Sequence, residues 1–268
     1  MTSGALRAAF EDPDPRSKAR AVLALGTVIP AFDPPWPDRP GRPARPVLVG
    51  AREVPRRSPN GPEGRIALLH ALAHIELNAI DLAVDIVGRF GTAPELAGRE
   101  AAFAADWLGV AAEEAKHFLM LADRLEEFDS HYGALPAHDG LWQTALGTRG
   151  SLLDRLAIAP LTHEARGLDV TPAMIAKLDG VGDRASARLL EVIYRDEIGH
   201  VAVGFTWFAH LCERLNLEPG IAFANALDRI GLARPHPPFN EPARRQAGLT
   251  PKFDVDYVAV QQRFSAKS

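Results

Sequence analysis

Cysteine is nearly absent from this 268-residue sequence, and the missing features already narrow the class of protein. The single cysteine, Cys212, cannot form a disulfide within the chain, so the chain fits a reducing compartment. The first seventeen residues lack the apolar stretch of a secretory signal. No uninterrupted apolar run approaches the roughly eighteen residues that cross a membrane. These absences predict a cytoplasmic protein with no membrane partner.

Aromatic residues are also few, at 7% of the chain, although hydrophobic residues make up 47%. Alanine and leucine are abundant, and this mixture favours helices over sheets. The net charge of −4 argues against a protein that coats nucleic acid. The charge is uneven, because residues 67–232 hold 13 Lys and Arg against 24 Asp and Glu. This acidic centre suits a carboxylate metal site, and exposed helix faces would give the same charge.

Proline separates an N-terminal arm from the rest of the chain. Residues 5–29 predict one or two short helices with a break at Asp12–Pro15. Residues 30–62 contain ten prolines, which lack the backbone donor of a helix interior, so an extended arm is expected. It either wraps over the core with solvated arginines or touches an anionic partner through them. The arginines in question are Arg39, Arg42, Arg45, Arg52, Arg56 and Arg57.

Helical patterns fill the middle of the chain. The expected helices are 63–90, 94–127, 141–168 with a kink near Pro160, a short one from Thr171–Pro172 to Gly180, 183–215 and 219–232. Residues 128–140 form a connector, and the tail from Arg234 is expected to be irregular. The sequence thus predicts one structural domain in three parts: helices and arm (1–62), a helical bundle (63–217), and a C-terminal helix with its tail (218–268).

Two Glu-x-x-His motifs lie within these helices, one at Glu114 and His117 and the other at Glu197 and His200. Positions i and i+3 share one helix face, so the carboxylate and the imidazole can reach a common point. A metal ion is the usual reason for this arrangement in a buried bundle. One copy alone is a weak signal, since chance supplies roughly half a match.

Two further glutamates, Glu76 and Glu164, complete the pattern. Glu76 lies in an apolar helical stripe, where a lone carboxylate is costly unless it is paired or bound to metal. Each glutamate lies nearly as many residues before the end of its helix as the next Glu-x-x-His motif lies after the start of the following helix. In an antiparallel pair of helices the glutamate and the motif therefore lie at the same level. The sequence therefore predicts an all-α, ferritin-like four-helix bundle with a dimetal site. Its ligands are Glu76, Glu114, His117, Glu164, Glu197 and His200.

Glutamate and histidine suit iron, and we expect two iron ions at this site. Manganese suits the same ligands, and ligand type does not exclude zinc. We expect Glu114 and Glu197 to bridge the metals, with Glu76 and Glu164 terminal. Tyr194, one turn before Glu197, could donate to a ligand or serve in redox chemistry, and a plain core role is the alternative.

Five segments carry a resemblance to a known family. They are HALAHIELNAIDLAVD (70–85), EEAKHF (113–118), HYGALPAHDGLW (131–142), APLTHEARGLD (159–169) and YRDEIGHV (194–201). Together they resemble the ferritin-like proteins grouped as domain of unknown function 455. The ligand pattern is also similar, more distantly, to the di-iron hydroxylase that modifies isopentenyladenosine in tRNA. The resemblance implies the fold and bound metals, but no substrate.

Three classes of function fit this pattern. The first is an oxygen-activating oxidase or hydroxylase, with dioxygen, an electron donor, and a small molecule or tRNA as partners. The second is a ferroxidase or iron-binding protein without an organic substrate, which needs the same ligands. The third is a structural or binding protein that the metal stabilises.

Overall fold

The computed structural model describes residues 3–26, 35–54 and 60–249. Regular structure within these ranges is helical, apart from one isolated bridge between Leu48 and Ala137, which confirms the all-α class. The described α-helices are α1 (Ser3–Glu11), α2 (Pro15–Leu23), α3 (Pro62–Phe90), α4 (Glu100–Glu126), α5 (Gly140–Gly147), α6 (Leu152–Ile158), α7 (Ala165–Gly180), α8 (Arg184–Arg214), α9 (Pro219–Ile230) and α10 (Glu241–Gln246). A 3₁₀ turn spans Pro94–Leu96, and a π-helical segment, Ala159–Glu164, joins α6 to α7. This set of elements is compatible with a ferritin-like bundle.

The chain forms two compact units. The first comprises residues 1–146 and 175–190, and the second comprises residues 147–174 and 191–268. In the first unit, α3 and α4 are joined by a short connection and pack along each other as an antiparallel pair. Helices α1 and α2 pack against this pair. Asp12–Pro15 does separate these two helices, because Asp14 caps α2 by accepting from Ser17 N–H and Pro15 begins it.

Helix α3 is the central element of the first unit. It begins at Pro62, where the missing proline N–H costs nothing, and it stays mostly buried over its second half. By length and composition α3 is apolar enough to span a membrane, but 67% of the window that passes this test is buried within the protein. Such burial is typical of a core helix of a soluble protein.

The described part of the arm, residues 35–54, lies against α3. Trp36 Nε1 donates to Asp85 Oδ1 at 2.9 Å, and its ring occupies the space that a side chain at Gly88 would need. Arg42 donates to Asn78 Oδ1 at 2.7 Å and pairs with Asp81 Oδ2 at 2.9 Å. The face of α3 that carries Asn78, Asp81 and Asp85 is therefore covered by the chain itself. Arg56 and Arg57 lie outside the described residues.

The second unit is tied together by ion pairs between its helices and its tail. Arg229 Nε of α9 donates to Asp154 Oδ2 of α6 at 2.9 Å. Arg244 of α10 binds both carboxylate oxygens of Asp169 in α7, at 2.8 and 2.7 Å. Helix α10 lies within the tail that the sequence predicts as irregular. It begins at Glu241, and the side chain of the preceding N-cap residue, Asn240, accepts from Ala243 N–H at 3.5 Å.

The predicted helix over residues 141–168 differs from the structure at two places: residues 148–151 separate α5 from α6, and no helix ends at residue 168. No new helix starts at Thr171–Pro172, because α7 runs through Pro172 without a break. A proline inside a helix deprives the carbonyl four residues earlier of its donor. Here that carbonyl belongs to Leu168, and it accepts instead from Asn240 Nδ2 at 3.0 Å. A side chain from the tail thus replaces the missing backbone donor, which no pattern local to Pro172 reveals.

Candidate metal centre

Three of the predicted ligands come together in the first unit. Glu76 projects from the middle of α3, and Glu114 and His117 project from α4. His117 Nδ1 lies 3.4 Å from Glu76 Oε2 and 3.4 Å from Glu114 Oε2. One ligand atom of each of these residues lies within 4.8 Å of the others. The antiparallel pairing of α3 with α4 therefore brings a lone glutamate level with a Glu-x-x-His motif, as the residue spacing predicts.

The electrostatics of this cluster favour a cation. Glu76 is 3% exposed, and Glu114 and His117 are 0% exposed. Burial by itself lowers the pKa of His117, but hydrogen bonds and charge from Glu114 and Glu76 outweigh it and raise that pKa to about 11. The two carboxylates thus stabilise a positive charge placed between them. A divalent metal satisfies the same requirement, and the oxygen and nitrogen donors suit a transition metal. A buried Glu and His cluster able to bind a metal ion is present.

The other three predicted ligands belong to the second unit. Glu197 and His200 lie on one face of α8, with His200 Nδ1 3.7 Å from Glu197 Oε1. His200 is buried, and the side chain of Glu197 is 13% exposed. Glu164 is the last residue of the π segment and is partly buried. The convergence of all six residues on one site stays a prediction.

The structure also places Tyr194, which the sequence suggests as a donor to a ligand or a redox residue, and three side chains that the sequence does not assign to the site: His163, Cys212 and Trp107. Tyr194 Oη accepts a hydrogen bond from Asn240 Nδ2 at 2.8 Å, so this hydroxyl is tied to the tail. Burial lowers the pKa of His163, beside Glu164, to about 4, which makes a neutral imidazole. Burial also raises the pKa of Cys212 to about 12, so its thiol is a poor nucleophile. Trp107 is buried against Phe103 in the core.

Two histidines of α3, His70 and His74, make hydrogen bonds with the 128–140 connector. His74 Nδ1 is hydrogen-bonded to Tyr132 Oη at 2.8 Å, and His74 Nε2 lies 3.1 Å from the carbonyl of His138. His70 Nε2 accepts from Gly133 N–H at 2.9 Å. These bonds attach the 128–140 connector to α3.

Sequence reasoning identified a kink near Pro160 but missed the π segment that ends at Glu164. The available signal was Pro160, four residues before Glu164, because a proline cannot donate the backbone hydrogen bond of a regular α-helix. Lys18 was missed as well. Its ammonium lies 2.5 Å from Asp81 Oδ1 in a buried pair, and only the packing of α2 on α3 shows this.

Comparisons with known proteins find a family model and a bacterial relative. A family model described as "Protein of unknown function (DUF455)" matches residues 11–254. A protein of Haemophilus influenzae, described as "Uncharacterized protein", is 40% identical over 217 residues, which cover 81% of this chain and 75% of that protein. No solved structure matches the chain.

Proposed function

The chain belongs to the DUF455 family, and on that premise we propose that it is a di-iron oxidase or hydroxylase acting on an organic substrate. The observation that carries the proposal is the buried group of Glu76, Glu114 and His117, where one imidazole nitrogen lies 3.4 Å from two carboxylates. The Glu197 and His200 pair, with the same spacing and a similar 3.7 Å separation, supplies the second half. Glu164 is proposed as its additional carboxylate.

The donor set fits two divalent transition-metal ions. Four carboxylates balance the charge of two such ions, and two imidazoles complete their ligation. Bound ferrous iron would supply the electrons for dioxygen activation. The surrounding residues hold the ligands in place and keep water out, because Ala73, Ala111 and Ala115 beside them are almost completely buried. We propose iron over zinc because redox chemistry requires a metal that changes oxidation state, which zinc does not. Manganese meets the same requirement and is the second choice.

The arm adds little support for an anionic substrate. Arg42 forms an ion pair with Asp81 and a hydrogen bond with Asn78 inside the protein. Arg39 is 60% exposed and lies 3.4 Å from Asp139, whereas Arg45 and Arg52 are exposed. Three exposed arginines in the described part of the arm do not make a nucleic-acid surface on a chain of net charge −4. A small organic substrate is therefore the proposal, ahead of tRNA.

The test is a search for an oxidised product. The protein is supplied with ferrous iron, dioxygen and a reductant in a small-molecule extract, and mass spectrometry detects compounds that gain one oxygen atom or lose two hydrogens. We expect such a compound with the wild type and with the control E191A, which changes an exposed glutamate of α8. The variant E197A/H200A should form none.

Two outcomes contradict the proposal. Rapid deposition of many irons per chain without an oxidised organic product would identify a ferroxidase. Bound metal without either reaction would indicate a metal that only stabilises the fold. The variant E197A/H200A must retain its helix content, measured by circular dichroism, for its loss of product to count.

A further inference from the structure

The π segment, an unusual backbone turn, ends at the predicted ligand Glu164. Ala165 N–H donates to the carbonyl of Pro160, five residues earlier, which is the hydrogen-bond spacing of a π-helix. Thr162 Oγ1 donates to the carbonyl of Ala157 at 2.8 Å, again five residues earlier. The wide turn thus spans the residues that lead into Glu164.

Pro160 explains why the helix widens here. Proline has no N–H, so residue 160 cannot donate to the carbonyl of Leu156, and its ring crowds that carbonyl. The backbone responds with one extra residue in the turn. Because each helical residue turns the chain by about 100°, one additional residue rotates every later side chain by about that angle. The direction of Glu164 relative to α6 is therefore set by this turn.

Pro160 contacts α8 at a glycine. A Cβ atom at Gly204 would lie 2.3 Å from Pro160 Cβ and 2.4 Å from Pro160 Cγ, so no larger residue fits without moving one helix. Gly204 is buried in the middle of a 31-residue helix, where glycine lowers helix stability. The close approach of the proline ring accounts for that glycine.

The contact lies one turn from the predicted ligands on both elements. Gly204 follows His200 by four residues and shares its face of α8. Pro160 precedes Glu164 by four residues. Pro160 and Gly204 both belong to the second compact unit, so their contact sets the distance between the Glu164 backbone and the His200 backbone within that unit.

We propose that Pro160 and Gly204 are positioning residues for the metal centre: their contact and the π turn orient Glu164 toward the metal that Glu197 and His200 bind. This inference rests on the proposed function, since it assigns Glu164 as a ligand. Its alternative is that the same contact only packs two helices. Packing alone predicts altered stability, whereas positioning predicts altered metal ligation in a folded protein.

The chain offers matched controls for both substitutions. Gly199 lies on the same helix and is exposed, and a Cβ atom at this position would meet nothing within 4 Å, so G199A is the control for G204A. Pro172 is a second proline inside helical structure of this unit, so P172A is the control for P160A. Because P160A removes atoms and restores an N–H, it tests the idea even if G204A folds poorly.

The experiment measures Co²⁺ binding to the full chain and the visible absorption spectrum of the bound ion, which reports its coordination. Circular dichroism checks the fold of each variant. We expect G204A and P160A to bind Co²⁺ about 10- to 100-fold more weakly, with a changed spectrum, as for other losses of ligand orientation. G199A and P172A should keep the wild-type affinity and spectrum.

Each other outcome has a distinct meaning. If the wild type binds Co²⁺ and all four variants match it in affinity and spectrum, the inference is wrong and the proposed function stands. If the controls weaken binding as much as G204A and P160A do, the effect is general packing and the inference is also wrong. If the wild type binds no Co²⁺, the proposed function fails and the inference fails with it.

Discussion

At the scale of single residues, buried charged side chains on α3 lie beside groups that can carry the opposite charge. His117 lies between Glu76 and Glu114, and these carboxylates raise its pKa to about 11 against the opposing effect of burial. A metal would replace that proton as the positive charge at the cluster. Opposite charges are also paired on the opposite face of α3, where Asp81 lies beside Lys18 and Arg42.

The Lys18–Asp81 pair gives a prediction at this scale. Its side chains are 2% and 0% exposed, and Lys18 Nζ also donates to the carbonyl of Gly41 at 2.9 Å. Asp81→Leu leaves the ammonium buried without its carboxylate, so we expect a loss of about 3–5 kcal/mol in the free energy of unfolding. Lys18→Met should cost less, because Arg42 still pairs with Asp81. Urea unfolding measures both.

The double variant K18M/D81L is the control for that prediction. Removing both charges leaves only Arg42 without its carboxylate, and this guanidinium is 22% exposed and still donates to Asn78, so the cost should be smaller than the sum of the two single costs. Strict additivity would show that the two side chains do not act as a pair in the folded protein.

At the scale of elements, the tail stabilises a helix that its own sequence weakens. Pro172 removes the donor for the carbonyl of Leu168, and Asn240 Nδ2 replaces it at 3.0 Å. The same amide group donates to Tyr194 Oη at 2.8 Å, and the backbone N–H of Asn240 donates to Asp169. One residue of the tail therefore connects α7 to α8.

Asn240→Ala tests this connection. The substitution leaves the carbonyl of Leu168 without its donor, and we expect the free energy of unfolding to fall by about 1–3 kcal/mol. In a Pro172→Ala background, residue 172 regains an N–H, so the cost of Asn240→Ala should become smaller. The control Asn225→Ala changes an exposed residue of α9 and should cost less than about 0.5 kcal/mol. Equal costs of Asn240→Ala in both backgrounds would contradict the replacement of the donor.

Elements with a regular apolar pattern could be predicted from the sequence, and those shaped by distant contacts could not. The bounds of α3 and α8 follow from uninterrupted periodicity that ends at residues 90 and 214. Pro160 and Pro172 look alike locally, yet one accompanies a π turn and the other lies in a continuous helix. The difference depends on Gly204 and Asn240, which are far away in sequence. The proximity of Glu76, Glu114 and His117 could be predicted because α3 and α4 are joined by a short connection.

At the scale of the whole molecule, each compact unit contains one half of the predicted ligand set. The first holds Glu76 with Glu114 and His117, and the second holds Glu164 with Glu197 and His200. The proposed oxygen chemistry requires these halves to bind two neighbouring ions in one centre. If each half bound its own isolated ion, or only one half bound metal, that chemistry would lack its dimetal site.

The metal–metal distance tests this claim most directly. The protein is purified without chelator and loaded with ferrous iron, and iron X-ray absorption is recorded together with iron content. We expect two irons per chain and an iron–iron distance of about 3.5–4 Å, with the iron content reduced or lost in E197A/H200A. One iron per chain, or two irons without an iron neighbour, would contradict the proposed dimetal centre.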